Sequence, residues 1–291
     1  MERWLVYGSP LLKVIAMMIR IEDGFEDVLG KAARGLGLSV AVLAQRSGLS
    51  ESALERLFDG KMDLAGLRAL APELGLDADK LVAMAHGEWT PRATGNMDGL
   101  RLYNTPCPVP GYPAMTVNNY LLFDPISCDA VIFDTGVAPQ ALLADLAHEG
   151  LQLKALFLTH THFDHVSAYH EIIQASGEVQ CYAPVAEPYA DALPVAVGDS
   201  FQFGALSIHA RETSGHSPGG TTYVVDGLAE KIAIVGDSIF CLSMGKAHTA
   251  YAQALRNNRE QILSLPAATI LCPGHGPLTT VAEELEHNPF F

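Results

Sequence analysis

Hydrophobic and polar positions follow two different patterns along this chain. Between residues 25 and 85, apolar residues recur at helical spacing in short segments separated by glycine and serine. The predicted helices span residues 27–34, 39–46, 50–58, 63–74 and 77–84. Ser39 and Ser50 occupy N-cap positions, and Gly48 lies in the turn between the second and third helices. The pattern predicts a small all-α bundle.

Beyond residue 98, short hydrophobic runs typical of strands alternate with helical segments. The predicted strands span residues 119–123, 130–133, 153–158, 179–182, 206–210, 222–225, 232–235 and 269–271. The predicted helices span residues 141–149, 167–176 and 249–263. This order indicates a layered α/β sandwich with functional loops at the strand ends.

The chain therefore divides into four predicted parts: a leader, an all-α domain, a linker and an α/β domain, over residues 1–24, 25–88, 89–97 and 98–291. We expect the leader to be poorly packed. A translation start at Met17 or Met18 would leave residues 1–16 outside the native protein. The leader has neither the length of a membrane span nor a small-residue cleavage site, which predicts a cytoplasmic protein without a membrane anchor.

Charge and cysteine content support that location. The 291 residues carry a formal net charge of −15, which disfavours a general affinity for nucleic acid or anionic membranes. The five cysteines are widely spaced and contain no C-x-x-C pair. We expect reduced thiols and no structural disulfide.

The segment from Leu38 to Ser50, followed by Leu54, Leu57 and Gly60, resembles the helix-turn-helix of the Cro/C1 repressor family. That resemblance implies a third helix able to enter the major groove of DNA. However, this helix carries Glu51 and Glu55 beside a single Arg56, and residues 25–88 contain seven basic against ten acidic side chains, a sum of −3. DNA binding is therefore disfavoured relative to homodimerisation or docking.

Residues with metal-binding side chains are concentrated in four motifs. They are Thr-His-Thr-His-Phe-Asp-His at 159–165, Gly-His-Ser at 215–217, Gly-Asp-Ser at 236–238 and Pro-Gly-His-Gly at 273–276. The first motif places four such side chains within six residues, and a loop after a strand allows them to converge. Imidazole and carboxylate groups suit zinc, iron or manganese.

In this order, the four motifs resemble the metallo-β-lactamase fold superfamily over about residues 98 to 291. The resemblance implies an αββα sandwich that holds two divalent ions, with zinc as the default and iron or manganese as alternatives. The implied ligands are His160, His162 and His216 for one ion, Asp164, His165 and His275 for the other, and Asp237 as the bridge. Asp134 would orient the ligand loop without binding metal. Asp164 and Asp237 are the candidate catalytic carboxylates.

Within this superfamily, the chain is most similar to glyoxalase II and its relatives. The segment Met244 to His248 resembles their Gly-Lys-x-Tyr substrate motif, with Lys246 placed to meet a substrate carboxylate and His248 in place of the tyrosine. We therefore expect hydrolysis of a small thioester or ester by a metal-bridging hydroxide. Its last residues, 272–291, resemble the shorter bacterial glyoxalase II-like proteins, so we expect no long helical tail of the kind that grips glutathione, which puts glutathione thioesters in doubt. Further pocket candidates are Asn118, Tyr182 and Tyr251.

Two other functions stay open at this point. One is an iron-dependent persulfide dioxygenase-like enzyme, and the other is a regulator whose metal domain senses a small molecule while the helices bind DNA. Hydrolysis of β-lactams is disfavoured because Asp237 replaces the cysteine of the commonest class B enzymes. His162 argues against flavodiiron chemistry, since those proteins carry glutamate there. The acidic composition argues against a nuclease.

Overall fold

The computed structural model describes residues 19–92 and 97–291. Its N-terminal part is a set of short helices joined by tight turns. They are α1 (Phe25–Gly35), α2 (Val40–Ser47), α3 (Glu51–Phe58), α4 (Leu64–Leu70), a 3₁₀ turn (Ala71–Leu74) and α5 (Ala78–His86). Short helices therefore occupy residues 25–86, and we call this part the helical region. Residues 1–18 of the predicted leader and residues 93–96 of the predicted linker lie outside the described residues.

The predicted caps define this bundle. The Ser39 hydroxyl accepts from the Val42 N–H at 3.4 Å, and the Ser50 hydroxyl accepts from the Ala53 N–H at 3.2 Å. Gly48 ends α2 with a φ of 73°, a left-handed conformation that glycine adopts without strain. The predicted fourth helix is shorter than expected, because Pro72 lacks the N–H that would continue α4.

Two six-stranded sheets form the framework of the described residues from 97 onward. In chain order the first contains β1 (Leu100–Pro106), β2 (Thr116–Phe123), β3 (Asp129–Phe133), β4 (Gln152–Phe157), β5 (Gln180–Pro184) and β6 (Leu193–Val195). The second contains β7 (Ser200–Phe203), β8 (Leu206–Glu212), β9 (Thr221–Asp226), β10 (Ile232–Gly236), β11 (Ile270–Pro273) and β12 (Thr279–Thr280). Within each sheet, strands adjacent in space are also consecutive in sequence.

Five further helices accompany the sheets. They are α6 (Gln140–His148), α7 (Phe163–Val166), α8 (Tyr169–Ser176), α9 (Tyr251–Asn257), which continues into a π-helical turn (Asn258–Ile262), and α10 (Val281–His287). The sequence pattern missed β1, β6, β7 and β12. The edge strand β1 contains Asn104 and Pro106, residue types that are depleted in strands, but its full-length antiparallel pairing with β2 outweighs those local preferences.

The layers follow from three hydrophobic clusters. Phe133, Phe157 and Tyr223 lie between the two sheets. Leu142 and Ile172, from α6 and α8, pack on the outer face of the first sheet, and residues around the π-helical turn and the start of α10 pack on the outer face of the second. The predicted α/β sandwich is therefore confirmed as a four-layer αββα arrangement. Within the described ranges, no helix combines the length and hydrophobicity that crossing a bilayer requires.

The helical region shares its core with the sandwich, which the sequence pattern did not predict. Met244, Tyr251 and Phe290 belong to the same buried cluster as the core leucines of α1 to α5. A Cβ placed on Gly35 would lie 2.5 Å from the Tyr251 ring, so the end of α1 lies directly against α9. The helices thus form a fixed part of the molecule beside the segment that follows Asp237.

Candidate metal centre

Strand ends bring the metal-binding motifs to one edge of the sandwich. Asp134 follows β3, the 159–165 motif follows β4, Asp237 follows β10, and His275 follows β11. His216 lies in the loop between β8 and β9. The pairs β3–β4 and β10–β11 are parallel, so their carboxyl ends meet at the same edge. The topology therefore gathers distant motifs around one point.

Three imidazoles form the first group of metal-binding atoms. His160 Nε2 lies 3.1 Å from His162 Nδ1, and His162 Nδ1 lies 2.9 Å from His216 Nε2. A tetrahedral zinc site with bonds of about 2.0 Å separates its ligand atoms by roughly 3.3 Å. The three nitrogens therefore have a spacing close to that of ligands to one ion.

A second group lies on the other side of Asp237. Asp164 Oδ2 is 3.2 Å from His275 Nε2 and 3.9 Å from His165 Nε2. Asp237 reaches both groups, because its Oδ1 lies 3.3 Å from His165 Nε2 and its Oδ2 lies 3.3 Å from His216 Nε2. The structure therefore brings together all seven side chains that the motifs predicted, with Asp237 between the two groups.

Two buried atoms in this cluster have no hydrogen-bond partner, His165 Nε2 and Asp237 Oδ1. Buried polar atoms are nearly always paired, and unpaired ones are costly. A cation would pair with both atoms, since they lie 3.3 Å apart and both are metal-ligand types. The residues present therefore fit the pair of divalent ions that the motifs imply.

Asp134 supports the cluster from behind. Its Oδ1 accepts from the Thr159 N–H at 2.7 Å, and its Oδ2 accepts from the Thr159 hydroxyl and from His165 Nδ1, both at 2.8 Å. The bond to Nδ1 leaves His165 Nε2 free to face the cluster. This is the arrangement by which outer carboxylates orient metal-binding histidines.

Three of the other four histidines are also oriented by a hydrogen bond to their outer nitrogen. His160 Nδ1 lies 3.0 Å from the Thr159 hydroxyl, His216 Nδ1 donates to the Lys246 carbonyl at 2.9 Å, and His275 Nδ1 donates to the Thr116 carbonyl at 2.6 Å. Each contact selects the tautomer whose other nitrogen faces the cluster. The ring orientations are therefore set by the protein scaffold.

Two glycines allow the loops to approach this closely. A Cβ on Gly274 would lie 2.3 Å from Asp237 Oδ1 and 2.5 Å from His165 Cε1. A Cβ on Gly245 would lie 2.0 Å from the Asp237 carbonyl oxygen. Any larger residue at either position would collide with the cluster, which explains why the His275 and Lys246 segments carry glycine there.

Charge is distributed unevenly over the cluster. Burial lowers the pKa of His216 to about 4 and that of His160 well below its ordinary value. Burial also acts against a charged His165, but the carboxylates of Asp134 and Asp237 outweigh it and raise the pKa of His165 to about 10. Metal binding through His165 requires its neutral form and so must release a proton, and this couples metal affinity to pH.

The predicted substrate residues differ in their positions. Lys246 is exposed beside the cluster, with its ammonium 4.7 Å from the centroid of the Tyr112 ring and 3.5 Å from the Tyr112 hydroxyl. His248 is also exposed, and desolvation together with the charges of Arg34 and Lys246 lowers its pKa. Arg34 belongs to α1, so the helical region contributes to the surroundings of this segment.

Three other pocket candidates have structural contacts instead. Tyr182 stacks on Phe157 between the sheets at 4.8 Å, because the strand alternation of β5 turns it inward. Tyr251 is buried in the core shared with the helical region. Asn118 is buried and donates to the carbonyls of Pro273 at 2.9 Å and Gly276 at 2.7 Å, which fixes the loop that carries His275.

The end of the predicted leader is the main feature that the sequence did not reveal. Residues 19–24 were expected to be poorly packed, but the Asp23 side chain is only 7% exposed and pairs with Lys31. Glu22 lies 3.4 to 3.5 Å from the position that a Cβ on Gly276, next to His275, would occupy. No motif or periodicity distinguishes these residues. All five cysteines are free thiols, as their spacing predicted.

Comparison with known families agrees with this geometry. A family profile described as the Metallo-beta-lactamase superfamily matches residues 113–275, which is more than half of the chain. The "Probable metallo-hydrolase YqgX" of Bacillus subtilis (strain 168) is 29% identical over 198 residues, covering 60% of this chain and 91% of that protein.

Hydroxyacylglutathione hydrolases are also similar. The protein of Xanthomonas euvesicatoria pv. vesicatoria is 30% identical over 147 residues, covering 50% of this chain, and that of Brucella ovis is 32% identical over 164 residues, covering 54%. The chain spans only 56% and 62% of the length of these two proteins.

Solved structures share the fold of the sandwich. The BLEG-1 B3 metallo-beta-lactamase has a TM-score of 0.55 at 29% identity, covering 65% of this chain and 99% of that chain. ETHE1 from Myxococcus xanthus has a TM-score of 0.54 at 25% identity, covering 60% and 78%.

Proposed function

We propose, on the premise that the chain belongs to the metallo-β-lactamase superfamily, that it hydrolyses a small thioester or ester in a glyoxalase II-like, metal-dependent reaction. The observation that carries this proposal is the convergence of seven metal-binding side chains around the two unpaired buried atoms, His165 Nε2 and Asp237 Oδ1. The similarity to hydroxyacylglutathione hydrolases supports the substrate class.

The residues proposed to hold two divalent ions are those of the two groups described above. His160, His162 and His216 would hold one ion, Asp164, His165 and His275 the other, and Asp237 would bridge them. When bound, such ions supply a hydroxide nucleophile at neutral pH and polarise the carbonyl under attack. Zinc is the proposed metal, with iron or manganese as alternatives.

Residues of this chain would orient the metal-binding groups, exchange a proton and contact the substrate. Asp134 keeps His165 in the tautomer that presents Nε2. The Asp164 side chain is 15% exposed, so its carboxylate is accessible to exchange a proton with the departing group. Lys246 stands at the exposed rim with its ammonium available to an anionic part of the substrate. His248, two residues on, is the second proposed substrate contact.

Thiol release from lactoylglutathione and from simple thioesters tests this proposal, with zinc-loaded protein compared with a chelated sample. We expect release that depends on the metal. A chromogenic cephalosporin provides the comparison for β-lactam hydrolysis, the activity named by the BLEG-1 structure, and we expect slow or no turnover of it. Turnover of the cephalosporin in preference to every thioester would contradict the proposal.

The alternative proposal is an iron-dependent persulfide dioxygenase-like enzyme, because the same group types accept iron. Iron content after expression and oxygen consumption with a persulfide substrate distinguish it from a hydrolase. A DNA-binding regulator is disfavoured, since the exposed side chains of α3 include Glu51 and Glu55. We propose that the protein acts in the cytoplasm; a homodimer formed through the helical region remains a subsidiary proposal.

A further inference from the structure

The segment of residues 19–23 lies across the catalytic edge of the sandwich. A Cβ placed on Gly276 would have the Glu22 N at 3.4 Å, the Glu22 Cβ at 3.5 Å and the Arg20 carbonyl oxygen at 3.6 Å. Because Gly276 follows His275 directly, the segment lies within the reach of one methyl group from the loop that brings His275 to the cluster.

A buried ion pair fastens this segment. The Asp23 carboxylate pairs with the Lys31 ammonium from α1, and the two side chains are only 7% and 5% exposed. Lys31 also donates to the Met244 carbonyl at 2.8 Å and lies 4.7 Å from the centroid of the Phe240 ring. A buried ammonium requires such partners. Lys31 therefore connects the segment, α1 and the loop after Asp237.

These contacts of Asp23 and Lys31 position the neighbouring residue Glu22 near the metal cluster. Its carboxylate lies outside the groups whose metal-binding atoms are within 4.8 Å of one another. It is still close enough for the charges of His275 and Asp237 to affect its pKa, which burial raises. Glu22 thus lies beside the loop that carries His275, outside the metal-binding set.

A cavity of about 770 Å³ adjoins the same segment, with residues 19–22 on one side and residues 111–116 on the other. This volume is in the range of small-molecule sites. Tyr112, on the far side of the cavity, contacts Lys246. None of the seven metal-binding side chains lines this cavity, but Thr116 does, and its carbonyl accepts from His275 Nδ1. Glu22 therefore faces a cavity next to the metal cluster, with the cations Arg20 and Lys246 at its margin.

We propose that residues 19–23 form a wall of the catalytic pocket, held by the Asp23–Lys31 pair, and that Glu22 determines which substrate charge is accepted. Glu22 would repel an anionic leaving group and attract a cationic one at the position next to His275. This inference rests on the proposed hydrolase function and gives that site a substrate preference.

Three acetyl thioesters that share an S-ethyl chain and carry differently charged terminal groups test the role of Glu22. They are acetylthiocholine, S-acetyl-2-mercaptoethanol and S-acetyl-3-mercaptopropionate, which are cationic, neutral and anionic. In Glu22→Gln we expect KM to rise about fivefold for the cationic ester and to fall about fivefold for the anionic one, while the neutral ester changes less than about twofold. The kcat values should change little, because this is uniform binding.

Glu51→Gln is the matched control, since it removes the same charge from an exposed position on α3. It should leave all three KM values unchanged. Equal changes for the three esters in Glu22→Gln, or the same pattern in Glu51→Gln, would overturn the assignment of Glu22. A wild-type enzyme that hydrolyses none of the esters would instead reject the proposed function.

If the wild-type enzyme hydrolyses none of the esters, the three free thiols are used as ligands. The measurement is then how far each thiol shifts the melting temperature of the metal-loaded protein. Glu22→Gln should increase the shift caused by 3-mercaptopropionate and decrease that caused by thiocholine. Unchanged shifts would overturn the charge preference independently of turnover.

Hydrogen exchange of the full chain tests the wall itself. Asp23→Asn combined with Lys31→Met removes both buried charges and so avoids leaving one unpaired. We expect the amides of residues 20–23 to exchange at least about tenfold faster, with the strands unchanged. The surface pair Asp226–Lys231, changed in the same way, is the control. Unaltered exchange at residues 20–23 would show that the pair does not hold the segment.

Discussion

The metal cluster and the N-terminal segment lie side by side at one edge of the molecule, yet only the first can be read from sequence. The cluster consists of residue types with specific chemistry at short spacings, as in the 159–165 motif. The segment of residues 19–23 has no such spacing, and its position depends on a contact with Gly276 and on a pair with Lys31. Local motifs encode the chemistry, whereas distant contacts determine what surrounds it.

The largest expected effect concerns Asp237, where the two groups meet. Asp237→Ala removes the carboxylate that lies 3.3 Å from both His165 and His216, so we expect loss of bound metal and a fall in kcat/KM of at least about a thousandfold. Metal analysis and thiol release measure the two effects. Asp226→Ala, at the end of β9, is the control and should retain both the bound metal and the activity. Full activity in Asp237→Ala would contradict the assignment of this site.

A substitution at Asp134 tests whether the orientation of the metal-binding histidines matters, because Asp134 itself does not bind metal in this proposal. Asp134→Asn keeps the size of the side chain but replaces one accepting oxygen with an amide group, which disturbs the bonds to Thr159 and His165. We expect metal affinity to fall by about 10- to 100-fold. Competition with a chelator of known affinity measures this change. An unchanged affinity would mean that Asp134 does not orient His165 for binding.

The residues of this molecule differ in how much of their role a sequence pattern reveals. The seven metal-binding side chains and Asp134 were identifiable because each lies in a recognisable motif at a strand end. Tyr182 and Tyr251 were misplaced as pocket residues, because one sequence position does not reveal which side of a strand or helix faces the core. Asp23 and Lys31 were missed because their pairing joins segments that only the folded core brings together.

Glu284 provides a pH-dependent test of the loop after Asp237, which contains Leu242 and lies next to the helical region. It is fully buried, and its carboxylate accepts from the Leu242 N–H, from the Asn288 amide and from the Thr279 hydroxyl. Burial raises its pKa to about 7; the hydrogen bonds oppose this shift, and the charge of Glu283 adds to it.

Because the folded-state pKa lies above the ordinary value of 4.5, the folded protein binds this proton more tightly than the unfolded one. The free energy of unfolding should therefore fall as pH rises from about 4.5 to about 7, by about 3 kcal/mol. Glu284→Gln should lack this fall, and the exposed Glu286→Gln should keep it. Urea unfolding at several pH values measures the difference, and parallel curves for wild type and Glu284→Gln would refute it.

The smallest expected effect concerns the contact between the helical region and the sandwich. Gly35→Ala places a methyl group 2.5 Å from the Tyr251 ring, in a core where side chains have little room to move. We expect a loss of about 1 to 3 kcal/mol in the free energy of unfolding. Gly30→Ala, on the same helix, meets only the flexible end of Arg34 at 3.1 Å and should be neutral or stabilising by up to about 1 kcal/mol.

The pair of variants thus separates helix propensity, which favours alanine at both positions, from packing against α9. If both variants stabilise the protein equally, the helical region is not packed on the sandwich as described. If only Gly35→Ala is destabilised, the contact is real, and it should also speed hydrogen exchange at residues 20–23, since α1 carries Lys31. The core shared by the two regions would then hold the N-terminal segment beside the metal cluster, a position that no local sequence pattern specifies.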